Sequence, residues 1–330
     1  MLKRLLIVIL AVAGLWSAYW FIGASSSRNA FEGWFQQRRT EGWVADYTNF
    51  ALRGYPNRFD ATWKNLAIAD PATGVALDMP IFQILALSYR PNHVIAAAPH
   101  EMQIATPLAK YTLSSDKLRA SLRLQPNTAL ELERAVLEGV NLALSGAETA
   151  TLSDLNLAAQ RMGDTTYRYG ISATGLTLPA PLLRDIFGGA ALPERMETAQ
   201  LDATVTFDKA WDRTAIDTAR PQPLKIDLTN LRAKWGVMEF QAKGPLEVNE
   251  VGLATGTLAV QATNWQDMLS IARQSGALPE NAARLAESFL GMAAKASGNP
   301  NKLDAEITLR DGMAFMGFIP LGPVPPLNLR

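Results

Sequence analysis

The chain contains no cysteine in its 330 residues. That excludes disulfides, thiolate metal sites, iron–sulfur clusters and thiol catalysis, and it leaves the redox compartment open. Histidine is nearly absent, with only His93 and His100. Pro91 and Pro99 prevent one helix from presenting both, and on a strand their spacing turns them to opposite faces, so no histidine metal pair is expected. An excess of charge is missing too: 31 basic and 31 acidic residues cancel, which removes non-specific attraction to nucleic acid. No Gly-x-Ser-x-Gly elbow, Walker loop, His-Glu-x-x-His or dinucleotide fingerprint occurs. Ser114-Ser115-Asp116-Lys117 has the Ser-x-x-Lys spacing of penicillin-recognising enzymes, but Lys117 opens an alternating strand and no Lys-Thr-Gly follows. The expectation is a non-catalytic protein with no cofactor, no metal site and no nucleic-acid partner.

What is present is apolar. Hydrophobic residues make up 48% and charged residues 19%, so the chain packs a core. Lys3 and Arg4 precede Leu5 to Ala24, twenty residues without a charge. As a helix that run measures about 30 Å, the thickness of a bilayer core. Trp16, Tyr19, Trp20 and Phe21 cluster toward its far end, where amphipathic rings favour the headgroup layer. With a basic tail ahead of it, the segment reads as a single-pass inner-membrane anchor, N-terminus cytoplasmic and the bulk of the chain periplasmic. A cleaved signal peptide is the alternative: Ala24-Ser25-Ser26 is an acceptable small-residue site, although the apolar run is longer than the usual signal core.

A hinge is expected at Ser25-Ser26-Ser27, which makes 1–27 the anchor and 28–42 a juxtamembrane helix with Phe31, Trp34 and Phe35 on one face, docked on the sheet or, as the alternative, standing on the membrane surface. Beyond it, strand rhythm dominates. Leu118, Ala120, Leu122 and Leu124 alternate with polar neighbours, as do Leu201, Ala203, Val205 and Phe207, and again Leu303, Ala305, Ile307 and Leu309. A period of two puts each set on one face of an antiparallel sheet. "NLAI" (65–68), "NLAL" (141–144), "NLAA" (156–159), "GLTL" (175–178) and "NLRA" (230–233) each set Asn or Gly, which tolerate left-handed backbone, where a strand would open. Helical patterns are few: 180–188, 264–275 with Asn264 as cap, and 280–296. The expected fold is mainly β (α+β), an N-terminal transmembrane helix followed by a strongly curved antiparallel sheet with a few packing helices. A first β-rich lobe spans 43–178, a connecting helix and loop 179–196, and a second lobe 197–330.

"GYPNRFD" (54–60), "ADPATG" (69–74), "LSYRPNHVIAAAP" (87–99) and "RDGMAFMGFIPLGPVP" (310–325) resemble a family of Gram-negative bacterial proteins of unknown function. The resemblance implies an N-terminal membrane anchor followed by a strand-rich periplasmic body, with no catalytic residues to transfer. "GPLEVNEVGLATGTLAVQATNW" (244–265) is also similar, more distantly, to the AsmA-like envelope proteins, whose long curved sheets are linked to lipid handling.

Eight such strands with four inward residues each would present an apolar face on the order of 800 Å². Monomers rarely leave more than a few hundred Å² of contiguous apolar surface in water, so something covers it. Tyr55, Phe59, Trp63, Phe82, Tyr89, Trp235, Phe240 and Trp265 are the candidates to line an apolar groove, with self-filled core as the plainer reading. Two functions remain open: a membrane-anchored protein that binds or helps transfer an apolar ligand, lipid first, and a non-catalytic envelope scaffold that recruits envelope proteins through its edges and its Gly-Pro-rich tail.

Overall fold

The computed structural model describes residues 1–189, 192–276, 278, 280–296 and 299–329. Strands hold 51% of the chain, all the described pairings are antiparallel, and the mainly-β reading stands. The chain divides into two compact units: unit 1 comprises residues 1–123 and 142–147, and unit 2 comprises 124–141 and 148–330.

Unit 1 begins with one long helix, α1 (Leu2–Thr40), followed by β1 (Val44–Asp46), β2 (Asn49–Arg53), β3 (Arg58–Ala69), β4 (Ala76–Leu87), β5 (Arg90–Ala97), β6 (Glu101–Ala105), β7 (Lys110–Ser114) and β8 (Lys117–Leu124). β1 and β2 both pair with β3, β3 with β4, and β4 with β5 and β6. The core is built from Phe35, Ala45, Ala61, Trp63, Leu66 and Met79, with Phe31, Tyr47, Phe50 and Phe82 packed against it. The hinge expected at Ser25-Ser26-Ser27 does not form: α1 runs through it, so the anchor and the juxtamembrane helix are one element. Serine costs a helix only a few tenths of a kcal/mol per residue, and docked rings on both sides of the triplet, Trp20 and Phe35, outweigh it.

Unit 2 takes in most of β9 (Leu132–Ser145) and then a meander of β10 (Thr149–Arg161), β11 (Thr166–Thr177), β12 (Arg195–Phe207), β13 (Pro223–Trp235), β14 (Met238–Val248), β15 (Ala254–Thr263), β16 (Lys302–Arg310), β17 (Met313–Met316) and β18 (Ile319–Pro323). From β10 onward each of these strands pairs with the next. Helices interrupt the meander at α2 (Ala180–Phe187), α3 (Thr214–Asp217), α4 (Trp265–Gln274) and α5 (Glu280–Ala296). Three of these match the expected helices; α3, a single turn, is new. Asn264 is not a side-chain cap: it is left-handed, and its Nδ2 donates to the Val237 carbonyl at 2.6 Å. The division into units falls elsewhere than the 179–196 connector, where α2 buries Leu183; Ala190 and Ala191 of that connector lie outside the described residues.

The recurrent Asn/Gly-Leu motif sits inside strands, not at their start. Asn65 in β3, Asn141 in β9 and Gly175 in β11 all have positive φ, at 49°, 49° and 66°. In β3 the buried residues are Phe59, Ala61 and Trp63 before Asn65 and Leu66 after it. One left-handed residue has switched the buried parity from odd to even while the pairing with β4 keeps its register. At Asn65 the motif turns the strand over partway along, in a backbone conformation that L-residues other than Asn and Asp reach at a cost.

Candidate functional site

In unit 1 the helix brings its own rings to the sheet. Phe31 meets Trp63 edge-on with centroids 4.9 Å apart, Phe50 stacks on Trp63 at 4.9 Å, and Phe35 meets Tyr47 at 4.9 Å. Offset and edge-to-face contacts of this kind each add about 0.5–1.5 kcal/mol beyond area burial. Nearer the N-terminus the approach is closer still. A Cβ on Gly23 would lie 2.8 Å from Phe59 Cζ, so glycine is what lets the helix backbone sit on that ring.

The same face of the helix is bolted to two turns, 54–58 between β2 and β3 and 88–89 between β4 and β5. Trp16 Nε1 donates to the Pro56 carbonyl at 3.1 Å, Trp20 Nε1 to the Arg58 carbonyl at 2.8 Å, and the Tyr19 hydroxyl to the Ser88 carbonyl at 2.6 Å. Ser17 Oγ and the Tyr55 hydroxyl lie 2.8 Å apart. Within the turns, Ser88 Oγ donates to the Pro56 carbonyl, the Ser88 amide to the Asn57 carbonyl, and the Arg58 amide to the Gly54 carbonyl. Ser88 is fully buried and is a polar group whose hydroxyl, amide and carbonyl are all partnered.

In unit 2 the register builds two rows of opposite character. Leu157, Ile171, Leu201, Leu231, Ala242, Val260 and Ala305 are successive cross-strand partners from β10 to β16. Asn156, Ser172, Gln200, Arg232, Gln241, Gln261 and Asp304 form the row beside it, on the other face. Seven strands at about 4.8 Å make each row about 29 Å long. The apolar face is covered unevenly. At one end α4 and α5 close over it, with Trp265, Ala286, Leu290 and Leu303 buried together. Over the opposite ends of the same strands, β14 to β16, the tail closes it: Val324 and Leu327 pack against Leu246, Ala254 and Leu309. Toward β10 and β11 the cover thins, and Ile171 is 39% exposed.

The polar face is an ordinary wet surface with ion pairs. Arg168 donates Nε and Nη2 to the two carboxylate oxygens of Asp202 at 2.9 and 2.6 Å, which holds the Asp202 carboxyl below the usual carboxylate range. A hollow of about 520 Å³ lies around that pair, lined by Asn156, Gln160, Gln200 and Asn230 and touched by Ile171 and Leu201 of the apolar row. Burial pushes the Tyr169 phenol up to about 12, so it stays protonated among Tyr167, Phe207 and Trp211. Among the described residues no cluster of His, Asp and Glu is arranged to hold a metal ion.

The eight aromatic candidates divide between the two units, five in unit 1 and three in unit 2. Phe59, Trp63 and Phe82 line the seam that α1 fills, Tyr55 stacks on Phe21 at 5.6 Å, and Tyr89 is exposed on its turn. In unit 2, Trp235 donates Nε1 to the Pro193 carbonyl at 2.6 Å, Phe240 joins the central cluster with Ala242 and Leu228, and Trp265 is buried under α5. Of the anchor residues, Leu5 is exposed and Ala24 half-buried, whereas Trp16 and Trp20 are held by the turns. Sequence reasoning missed Ser17 and Ser88. A serine within an apolar run and one ahead of Tyr89-Arg90-Pro91 carry no signal until the fold brings both to the Gly54-Tyr55-Pro56 turn.

A family profile described as "Uncharacterized protein conserved in bacteria (DUF2125)" matches residues 20–325. The chain belongs to this family. No curated protein and no solved structure matches it. The DUF2125 match begins at Trp20, inside α1, and takes in both turns, the whole unit 2 meander and the C-terminal hairpin.

Proposed function

We propose that this DUF2125 protein is a single-pass, inner-membrane-anchored protein that holds or passes an apolar molecule, lipid by preference, on the apolar face of unit 2, with its body in the periplasm and no catalytic step. The observation that carries the reading is the unbroken apolar row across β10 to β16, covered at its β16 end by α4 and α5 but 39% exposed at Ile171 in β11. α1 is long and apolar enough to span a bilayer, and its first fifteen residues are all exposed. Cleavage after Ala24 would strip Trp16, Tyr19 and Trp20 from the carbonyls they serve, which favours an anchor that is kept. The distant AsmA-like likeness of 244–265 falls on β14 and β15 of the same face and supports a lipid as the ligand.

The test is lipid mass spectrometry on the full chain purified in detergent, wild type against Ile171→Asp. Lipid surrounding α1 is common to both. Wild-type protein is expected to retain additional lipid that the variant loses; equal lipid in both sinks the reading. A second reading, an envelope scaffold, draws on a separate observation: Phe59, Trp63 and Trp265 are already spent on the protein's own core. Crosslinking in intact cells that recovers a defined envelope partner through the edge strands would favour it.

A further inference from the structure

We infer that the two turns bolted to α1, residues 54–58 and 88–89, are a membrane-embedded collar, seated in the outer boundary of the bilayer rather than above it. The inference rests on the membrane-anchor half of the proposed function and is independent of the lipid site in unit 2. Three observations within unit 1 lead to it. The first is length. The uncharged run Leu5–Ala24 measures about 30 Å, and Trp16, where contact with the turns begins, lies about 17 Å along it. If the run spans the bilayer, the body accompanies the last 13 Å or so of it.

The second observation is polar satisfaction. Non-helical backbone is tolerated at membrane depth only where its hydrogen bonds are met within the protein. The carbonyls of Gly54, Pro56, Asn57, Arg58 and Ser88 all accept a bond, three of them from indole or phenol donors that α1 supplies. The third is composition. Tyr55, Tyr89, Phe21 and Ile22 are 53%, 57%, 61% and 68% exposed. Arg53 and Arg90 are exposed beside those turns; Arg58, also exposed, is ion-paired to Asp60 at 2.8 Å. Exposed tyrosines flanked by arginines are the composition of an interface, rings at the headgroup level and guanidinium groups reaching phosphates.

The chain's freedom from cysteine makes the test direct. Asn57→Cys and Tyr89→Cys, each in the full chain, carry an environment-sensitive fluorophore into vesicles of phosphatidylcholine and phosphatidylglycerol. Thr40→Cys is the reference: Thr40 lies about 36 Å beyond Trp16 along the same helix. With brominated acyl chains, emission at 57 and at 89 is expected to fall several-fold and emission at 40 to stay unchanged. Absence of quenching at either turn, or equal quenching at 40, overturns the collar. Should Tyr89→Cys fail to fold by circular dichroism, Arg90→Cys reads the same turn. The quenching is independent of lipid retained by unit 2, so either proposal can fail alone.

Discussion

In unit 1 the apolar side of β3 and β4 meets a helix that brings Phe31 and Phe35 onto Trp63 and Phe50. In unit 2 the apolar rows of β10 to β16 meet α4, α5 and the C-terminal tail over β14 to β16, and toward β11 the cover thins. The strands of both units follow the same two-residue rhythm. The rhythm specifies a face; what covers that face is set by whatever element the chain can bring back to it. Unit 1 has a 39-residue helix to spend, while unit 2 has α4, of ten residues, and α5, of seventeen.

That contrast can be broken by substitution. Trp63→Ala, in the filled seam, is expected to cost about 3–5 kcal/mol, read as a lowered first transition in denaturation of the detergent-solubilised full chain. Trp63→Phe should recover much of it, since the buried Trp63 indole nitrogen has no hydrogen-bond partner to lose. In unit 2, Leu303→Ala under α5 is expected to cost about 2–5 kcal/mol. Ile171→Ala on the same face should cost about 1 kcal/mol or less, because the side chain is already partly in solvent. Equal losses at Leu303 and Ile171 would mean that the face is uniformly filled and would remove the case for a ligand.

The smallest effect expected is at the Arg168–Asp202 pair. Its aspartate is held below the ordinary range by the arginine's hydrogen bonds, so its contribution is present above that range and is lost as pH falls through the lowered value. Asp202→Asn should therefore lower the melting temperature slightly at neutral pH and leave it unaltered in strong acid. A loss that persists in acid would assign the effect to packing instead. Both groups are near the surface, and added salt should shrink the difference.

Much of the architecture was legible in the residues. Apolar alternation at 201–207 and 303–309 falls on β12 and β16, and three helices lie where their patterns put them. The parts that were not legible share a cause. Ser25-Ser26-Ser27 looks like a hinge because local propensity is weak there, yet rings on both sides of it dock and carry the helix through. Asn65 looks like the start of a strand because left-handed backbone is common in turns, yet it sits inside β3 and turns the strand over. The eight aromatic candidates gave no warning that five would surround or adjoin α1 and that three would be dispersed through unit 2, since contact between rings depends on partners far along the chain.

By itself the sequence determined an uncharged helix long enough for a bilayer and a body of strands with one apolar side, because both follow from the spacing of apolar residues along a few turns or a few strand positions. Only the tertiary structure decided which apolar surfaces are filled and which are left open, and that indole and hydroxyl groups of the helix serve the carbonyls of two distant turns. Those outcomes depend on which segments meet, and no local spacing encodes a meeting between residues 16 and 56 or 19 and 88.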